Sequence, residues 1–420
     1  MGGTTPLPAR GRRRRDIQGV RVVGAGTRCA RGLCCESRAQ FARLEVAHVK
    51  YWLGLAGLLL VVVVAWPAAA QPSASDFFSS RLPRWFPVPM VPVDNPLTDA
   101  KVELGRFLFY DPQLSGNGTY SCASCHQQAL AFTDGLARAV GSTGAAHPRS
   151  SMSLANVVYN ASYGWDERRW NLESQMEVPM YNEQPIEMGL KGNEAEVLAR
   201  FTIDRAYGER FRAAFPGEDS PVTLPNIVKA IASFERVLVS ADSAFDRYLY
   251  RDDHSGMSPA SKRGAALFFS DRLKCSECHG SVNISGPTIF TGAMPSDPEA
   301  FFHDTGVSSE PAKFRAPTLR SIAVTAPYMH DGSIATLKDV IAHYAAGGRS
   351  ARPKSDKVRG FTISASETDD LVAFLESLTD HKFLTNPALS NPLSNPDMRE
   401  ELKRDGRTKS DPPDWLTGAH

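Results

Sequence analysis

SCASCHQQ, residues Ser121 to Gln128, sets two thiols three positions apart with an imidazole directly after the second. Cys122 and Cys125 admit three readings: a redox pair, half of a zinc site, or the attachment point of a haem. A thioredoxin-like redox pair belongs in a βαβ setting, which is absent here. Zinc would need a second pair of cysteines, and CSECH supplies one in Cys275, Cys278 and His279, repeating the pattern of Cys122, Cys125 and His126. Joining the two pairs as four sulfur ligands would leave both histidines without a task. C-x-x-C-H as a c-type haem signal uses every residue: the thiols add to the porphyrin vinyl groups and the adjacent His reaches the iron as proximal ligand.

The remaining cysteines support two haems. Of seven in the chain, Cys29, Cys34 and Cys35 lie in a basic, Gly-rich prefix, so the two motifs account for the other four. After that prefix come Lys50, an apolar run from Trp52 to Trp66, and Ala68 to Ala70 before Gln71. This is the pattern of a secretory signal peptide, and the run is shorter than the roughly 20 residues of a membrane span. An uncleaved anchor is the competing reading, and the length of the basic stretch points to a true translation start near Val46 or Val49. Export places the chain in the periplasm, where spare thiols pair as disulfides, and none is left over. Without residues 1–70 the balance is 36 basic against 43 acidic residues. A mildly acidic protein is a poor partner for nucleic acid.

The flanks of the two motifs repeat. ELGRFLFYD precedes the first and KRGAALFFSD the second, so that Gly105, Leu108, Phe109 and Tyr110 match Gly264, Leu267, Phe268 and Phe269. Each reads as an amphipathic helix leading into a haem motif, with Thr98 and Ser258 as N-caps and Pro259 at the first helical position. LPNIVKAIASFERVLVS and SETDDLVAFLESLTD read as further helices, and alternation of the strand kind is scarce. The expected fold is mainly α, with two cytochrome c-like domains that each carry one covalently attached haem. The expected boundaries are an export segment at 1–70, an N-terminal cytochrome c-like domain at 76–250, a C-terminal one at 255–385 and a loosely held tail at 386–420. With 420 residues, 42% of them hydrophobic, the chain is long enough for two cores.

Whether such a protein carries electrons or catalyses depends on whether an iron is left open, since a six-coordinate haem transfers electrons and a five-coordinate one binds peroxide or oxygen. His147, Met294, Met329, His330, His343 and Tyr344 are the candidate distal ligands, and spacing does not choose among them.

Two further stretches carry a resemblance: WDERRWNLESQMEVPMYNEQPIEMG, Trp165 to Gly189, and FRAPTLRSIAVTAPYMHDGSIATLKDVIAHY, Phe314 to Tyr344. From about Leu97 to Leu378 the chain resembles the bacterial di-haem cytochrome c peroxidase and MauG superfamily. FTDGLARAVGSTGAAHPRSSMSLANVVYN is similar to its MbnH-like branch, the methanobactin-associated enzymes that modify a tryptophan on a partner protein. The resemblance implies Tyr344 as distal ligand of the second haem, where many of the peroxidases have Met. A phenolate favours oxidised iron, whereas a thioether favours reduced iron. It implies Trp165 between the haems as a relay for holes, and Gln175, Glu187 and Pro179 over the open first haem, with Glu187 in general acid/base work and Pro179 limiting access to the iron. His147 falls roughly where some members carry a displaceable ligand, without matching spacing, and is left unassigned. Thr325 and Pro327 match two carbonyl ligands of an inter-haem calcium, but Ser150 stands where the family supplies an Asn. Leu273 replaces a surface Trp through which MauG passes holes to its substrate.

The implied function is a di-haem oxidoreductase that uses hydrogen peroxide to form a high-valent haem state and oxidises a residue, tryptophan foremost, on a small exported partner protein. The alternatives are a cytochrome c peroxidase fed by a small cytochrome or cupredoxin, and a non-catalytic di-haem electron carrier.

Overall fold

Gly105 and Gly264, aligned by the internal repeat, do the same job in the structure. In the computed structural model, which describes residues 73–166, 169–286, 302–307, 312–349 and 354–394, each glycine sits where two helices cross too closely for a side chain. A Cβ on Gly105 would lie 1.9 Å from the Ala230 carbonyl oxygen, and one on Gly264 would lie 1.9 Å from that of Asp370. The export segment, Met294 and residues 395–420 of the expected tail lie outside the described residues.

In chain order the helices are α1 (Ala74–Phe78), α2 (Asp99–Tyr110), α3 (Cys122–Cys125), α4 (Leu172–Tyr181), α5 (Glu194–Ile203), α6 (Arg205–Ala214) and α7 (Leu224–Arg236). They continue with α8 (Ala244–Arg251), α9 (Pro259–Phe268), α10 (Leu337–Ala345), α11 (Ala365–Glu376) and α12 (His381–Thr385). Strand among the described residues is confined to one antiparallel pair, β1 (Phe302–His303) and β2 (Phe314–Arg315). The fold is mainly α, as the sequence implies. Thr98 and Ser258 cap α2 and α9, accepting from Lys101 N and Ser261 N, and Pro259 opens α9.

Two hydrophobic clusters follow the two glycine crossings. In the first, Leu104, Leu108 and Phe109 of α2 pack with Ile227, Ile231 and Phe234 of α7, all fully buried. In the second, Phe268 of α9 meets Phe374 and Leu375 of α11, together with Phe245 and Ile341. Each cluster backs one C-x-x-C-H motif, since α2 leads to Cys122 and α9 to Cys275. All described residues fall within one compact unit, Pro67–His420.

The start of the expected loose tail is firmly held. Leu389 is buried in the first cluster, and the Tyr110 hydroxyl donates to its carbonyl at 2.7 Å. Arg106 Nε donates to Ser390 O at 2.8 Å, and Phe383 of α12 also joins the first cluster. Asn386 caps a short 3-10 turn there. Anchoring by isolated Leu and Phe side chains and by backbone carbonyls leaves no periodic signal, which is why the stretch reads as tail.

Candidate active site at the two haem motifs

The first motif folds as the short helix α3, with His126 N bonded to Cys122 O at 3.0 Å. His126 Nδ1 lies 2.8 Å from Phe132 O, so it is the protonated nitrogen and Nε2 keeps its lone pair. Burial lowers the pKa of His126 and keeps the ring neutral, as an iron ligand requires. The second motif repeats the device: His279 N bonds Cys275 O at 2.9 Å and Nδ1 donates to Pro317 O at 3.1 Å. Burial drives the pKa of His279 down to about 4.

The four cysteines are unpaired. Burial raises all four thiols, Cys125 and Cys275 each to about 11, and Cys122 and Cys278 upward as well. A reactive redox pair needs a lowered thiol pKa, so this environment argues against that reading.

A cavity of about 180 Å³ opens beside His126. One wall is α4, N-capped by Asn171, whose side-chain oxygen accepts from Ser174 N at 2.7 Å. Arg236 of α7 grips Glu173 through two hydrogen bonds of 2.8 Å, docking α4 on the first core. Gln175 and Pro179 of α4 line the cavity, as do Glu187, Trp165 and His147. The structure therefore brings together every residue expected over the first haem. Gln175 Oε1 is buried without a partner, while Glu187 Oε1 accepts from Asn182 Nδ2 at 2.9 Å. The turn carrying Glu187 is tied down by Met188 N to Pro179 O at 3.0 Å and Gly116 N to Met188 O at 2.8 Å.

Trp165 borders this cavity and also the segment that follows the second motif. Its Nε1 donates to Ser150 O at 2.9 Å, and its ring centroid lies 6.5 Å from those of Phe314 and His330.

Among the candidate distal ligands, His330 is stacked on Phe314 with centroids 3.8 Å apart, and His343 Nε2 is bonded to Thr305 O at 3.0 Å. Met329 packs against the second core and its carbonyl accepts from Ser150 Oγ at 2.9 Å. Tyr344 differs. Its phenol is pushed well above the ordinary tyrosine range, first by burial and then by the Cys278 and Cys275 sulfurs, which places it beside the second motif. Conversion of those thiols to thioethers removes their charge and leaves the burial.

Two site residues are absent from the sequence reading. Arg315 lines the cavity at 4% exposure, its backbone N bonded to Trp165 O at 2.9 Å. Among the described residues its guanidinium makes only long contacts to Ser285 Oγ, Ala316 O and Met152 Sδ, its Nε bonds nothing, and burial lowers it to about 10. Glu235 of α7 also faces the cavity, with Oε2 unpartnered and its carboxyl pushed up to about 8 by burial. The one available signal for Glu235 is a charged residue four positions after Ile231 on an apolar helix face.

These features fit a haem. Both imidazoles present Nε2, the thiols are unpaired, and a buried guanidinium with no counter-anion among the described residues matches a group bearing propionates. The calcium expectation gains nothing comparable. No cluster of three or more His, Cys, Asp or Glu side chains that could hold a metal occurs among the described residues, which leaves the Thr325 and Pro327 carbonyls, and the Ser150 hydroxyl donates to Met329 O.

Comparison with known proteins agrees with this geometry. Residues 99–254 match the family described as di-haem cytochrome c peroxidase, and residues 261–379 match cytochrome c. The chain is 35% identical to the methylamine utilization protein MauG of Methylorubrum extorquens, covering 68% of this chain and 80% of the relative. It is 32% identical to the cytochrome c551 peroxidase of Pseudomonas aeruginosa, over the same shares of 68% and 80%. Among solved structures it is similar to a MauG-like protein associated with microbial copper homeostasis, with 41% identity, a TM-score of 0.70, and 74% of this chain and 98% of that one covered.

Proposed function

The chain belongs to the di-haem cytochrome c peroxidase family and is a peroxidase-type oxidoreductase with two covalently bound c-type haems, and on that premise we propose that it uses hydrogen peroxide to oxidise a tryptophan on a partner protein. Cys122, Cys125 and His126 hold the first haem, and Cys275, Cys278, His279 and Tyr344 the second. When bound, the haems supply the redox chemistry, taking two oxidising equivalents from peroxide as it is reduced to water.

The side chains around the first haem handle protons and access. Asn182 occupies Glu187 Oε1, so Oε2 is the oxygen free to take a proton from peroxide and return it to the departing oxygen. Gln175 Oε1, buried and unpartnered, accepts the other peroxide O–H and orients the molecule. Pro179 narrows the approach, and the apolar walls formed by Leu154, Val157, Met176 and Val178 keep bulk water out.

Trp165 is the link between the sites. Its N–H bond to Ser150 O puts a carbonyl dipole against the indole, which stabilises positive charge on the ring and eases loss of an electron. Two electrons and two protons drawn from the partner's indole, with a water molecule supplying the oxygen it gains, balance each peroxide reduced to two waters.

The observation that carries this reading is the placement of Tyr344 on α10, a half-buried side chain whose phenol lies within electrostatic reach of Cys278 and Cys275 of the second motif. An anionic oxygen ligand stabilises oxidised iron. Likeness to MauG and to the MauG-like structure supports the same choice. A second reading, peroxide reduction with electrons from a small cytochrome or cupredoxin, is favoured by the 32% identity to a cytochrome c551 peroxidase. We place the protein in the periplasm on the pattern of residues 50–71; among the described residues no helix is long and apolar enough to cross a membrane.

The test is to add peroxide to ferric holoenzyme with a small exported protein encoded beside it, and to map oxygen incorporation on that protein by mass spectrometry. Oxygen on a single tryptophan is the expected result. Turnover that requires prior reduction and a small cytochrome or cupredoxin, with the partner unmodified, would establish the second reading.

A further inference from the structure

His147 shares the cavity with Glu187 and has no role in the chemistry proposed for it. Its Nε2 lies 3.6 Å from Glu187 Oε1, within electrostatic reach but longer than a hydrogen bond, and the two side chains are only 18% and 22% exposed. Its Nδ1 accepts from Arg149 N at 3.2 Å. A neutral ring that accepts at Nδ1 carries its hydrogen on Nε2. That hydrogen faces the carboxylate.

The two residues ride on one assembly. His147 N donates to Ala139 O at 2.6 Å and Ala139 N to Arg149 O at 3.1 Å, closing a hairpin over 139–149. Ser142 N donates to Glu187 O at 2.7 Å, fastening the hairpin to the Glu187 turn. At the same contact a Cβ on Gly141 would lie 2.0 Å from Ile186 O, so only glycine permits the approach. Arg149, which also lines the cavity, is turned to Asp166 at 2.6 Å and leaves the carboxylate to His147. Of the other titratable groups that feel Glu187, Tyr120 donates its hydroxyl to Val140 O and Cys125 is a haem-attachment thiol.

We infer that His147 is a positioning residue for the peroxide site: with Asn182 it holds Glu187 Oε1, so that Oε2 is presented to the first haem. The inference rests on the acid/base role of Glu187. It also assigns His147 a task other than ligation of the iron, so the resting coordination is independent of it.

Cyanide reports this directly, because hydrogen cyanide gives up its proton to a distal base as it binds ferric haem. In holoenzyme, His147→Leu removes the N–H donor and His147→Gln retains one. Cyanide association should slow about fivefold in His147→Leu, the scale of one ordinary polar contact. It should stay within about twofold in His147→Gln, the donor alone being retained. The paramagnetic resonance spectrum of the resting ferric enzyme should be the same in both variants as in the parent.

Equal slowing in both variants would mean that the imidazole acts by packing, and unchanged rates in both would mean that it does not act on Glu187; either overturns the inference. A shift from low-spin to high-spin iron in His147→Leu would make His147 a ligand and overturn it too. Glu187→Gln separates the premise from the inference. If that change leaves cyanide association untouched, the acid/base role falls; if it slows association while His147→Leu does not, the inference alone falls.

Discussion

Replacing Gly105 by Ala sets two known effects against each other, and their sign tests the packing argument. In an open helix the change gains about 1 kcal/mol from helix propensity. At Gly105 the new Cβ would stand 1.9 Å from Ala230 O, 2.5 Å from its carbonyl carbon and 3.0 Å from Phe234 Cβ. A carbon and a carbonyl oxygen settle at about 3.3 Å or more, so α2 and α7 have to separate by over 1 Å. The α7 face there is fully buried through Ile227, Ala230, Ile231 and Phe234 and has no room to retreat. Overpacking of this kind costs about 3 kcal/mol, leaving a net loss of about 2 kcal/mol after the propensity gain. For a domain of this size that lowers the melting temperature by about 4–8 °C. Gly264→Ala, with Asp370 O at 1.9 Å and Phe374 Cβ at 2.8 Å, should cost a similar amount in the second lobe. Thermal unfolding of ferric holoenzyme followed by circular dichroism gives the loss, and paramagnetic resonance on partly unfolded samples shows which haem responds. Gly105→Ala should perturb the high-spin signal first and Gly264→Ala the low-spin one. A raised melting temperature in either variant would refute the close crossing.

Three further outcomes follow from the site and its supports. Asp246 and Arg320 form a doubly hydrogen-bonded pair, each 2% exposed at the side chain; burial pushes the Asp246 carboxyl up, but Arg320 and Ser243 outweigh it and hold the pKa below the ordinary value. Its stabilisation is therefore full above the unfolded pKa near 4 and lost as pH falls toward the folded one, so Asp246→Asn should cost about 3–5 kcal/mol at pH 7 and the gap from the parent in denaturant melts should close below about pH 4. If a haem carboxylate pairs with Arg315, Arg315→Met should destabilise the holoenzyme by about 3 kcal/mol in the same melts; an unchanged midpoint would mean that Arg315 faces no anion. Tyr344→Phe should alter the low-spin ferric signal in paramagnetic resonance while Met329→Leu leaves it intact, and the reverse pattern would make Met329 the ligand.

Contiguous chemistry is what the sequence by itself determined. A haem attachment motif is local: two thiols and an imidazole within five residues are enough for the covalent bonds and the proximal ligand, so Cys122 to His126 and Cys275 to His279 were legible without a fold. The same holds for the caps at Thr98 and Ser258, whose side chains bond their own first turn, and for the repeat that pairs Gly105 with Gly264. Resemblance extended this to Trp165, Gln175, Glu187 and Tyr344, whose spacing travels with the family. The tertiary structure alone decided which groups share a cavity. Arg315 and Glu235 became site residues because burial separates them from water and from sufficient partners, and a one-dimensional pattern does not record burial. His147 and Glu187 stand forty positions apart and meet only because a hairpin docks through Ser142 and Gly141 onto the Glu187 turn. The segment around Leu389 likewise joined the first core through single side chains and carbonyl bonds to α2. Such contacts depend on where the chain returns in space, and short-range propensity does not encode that return.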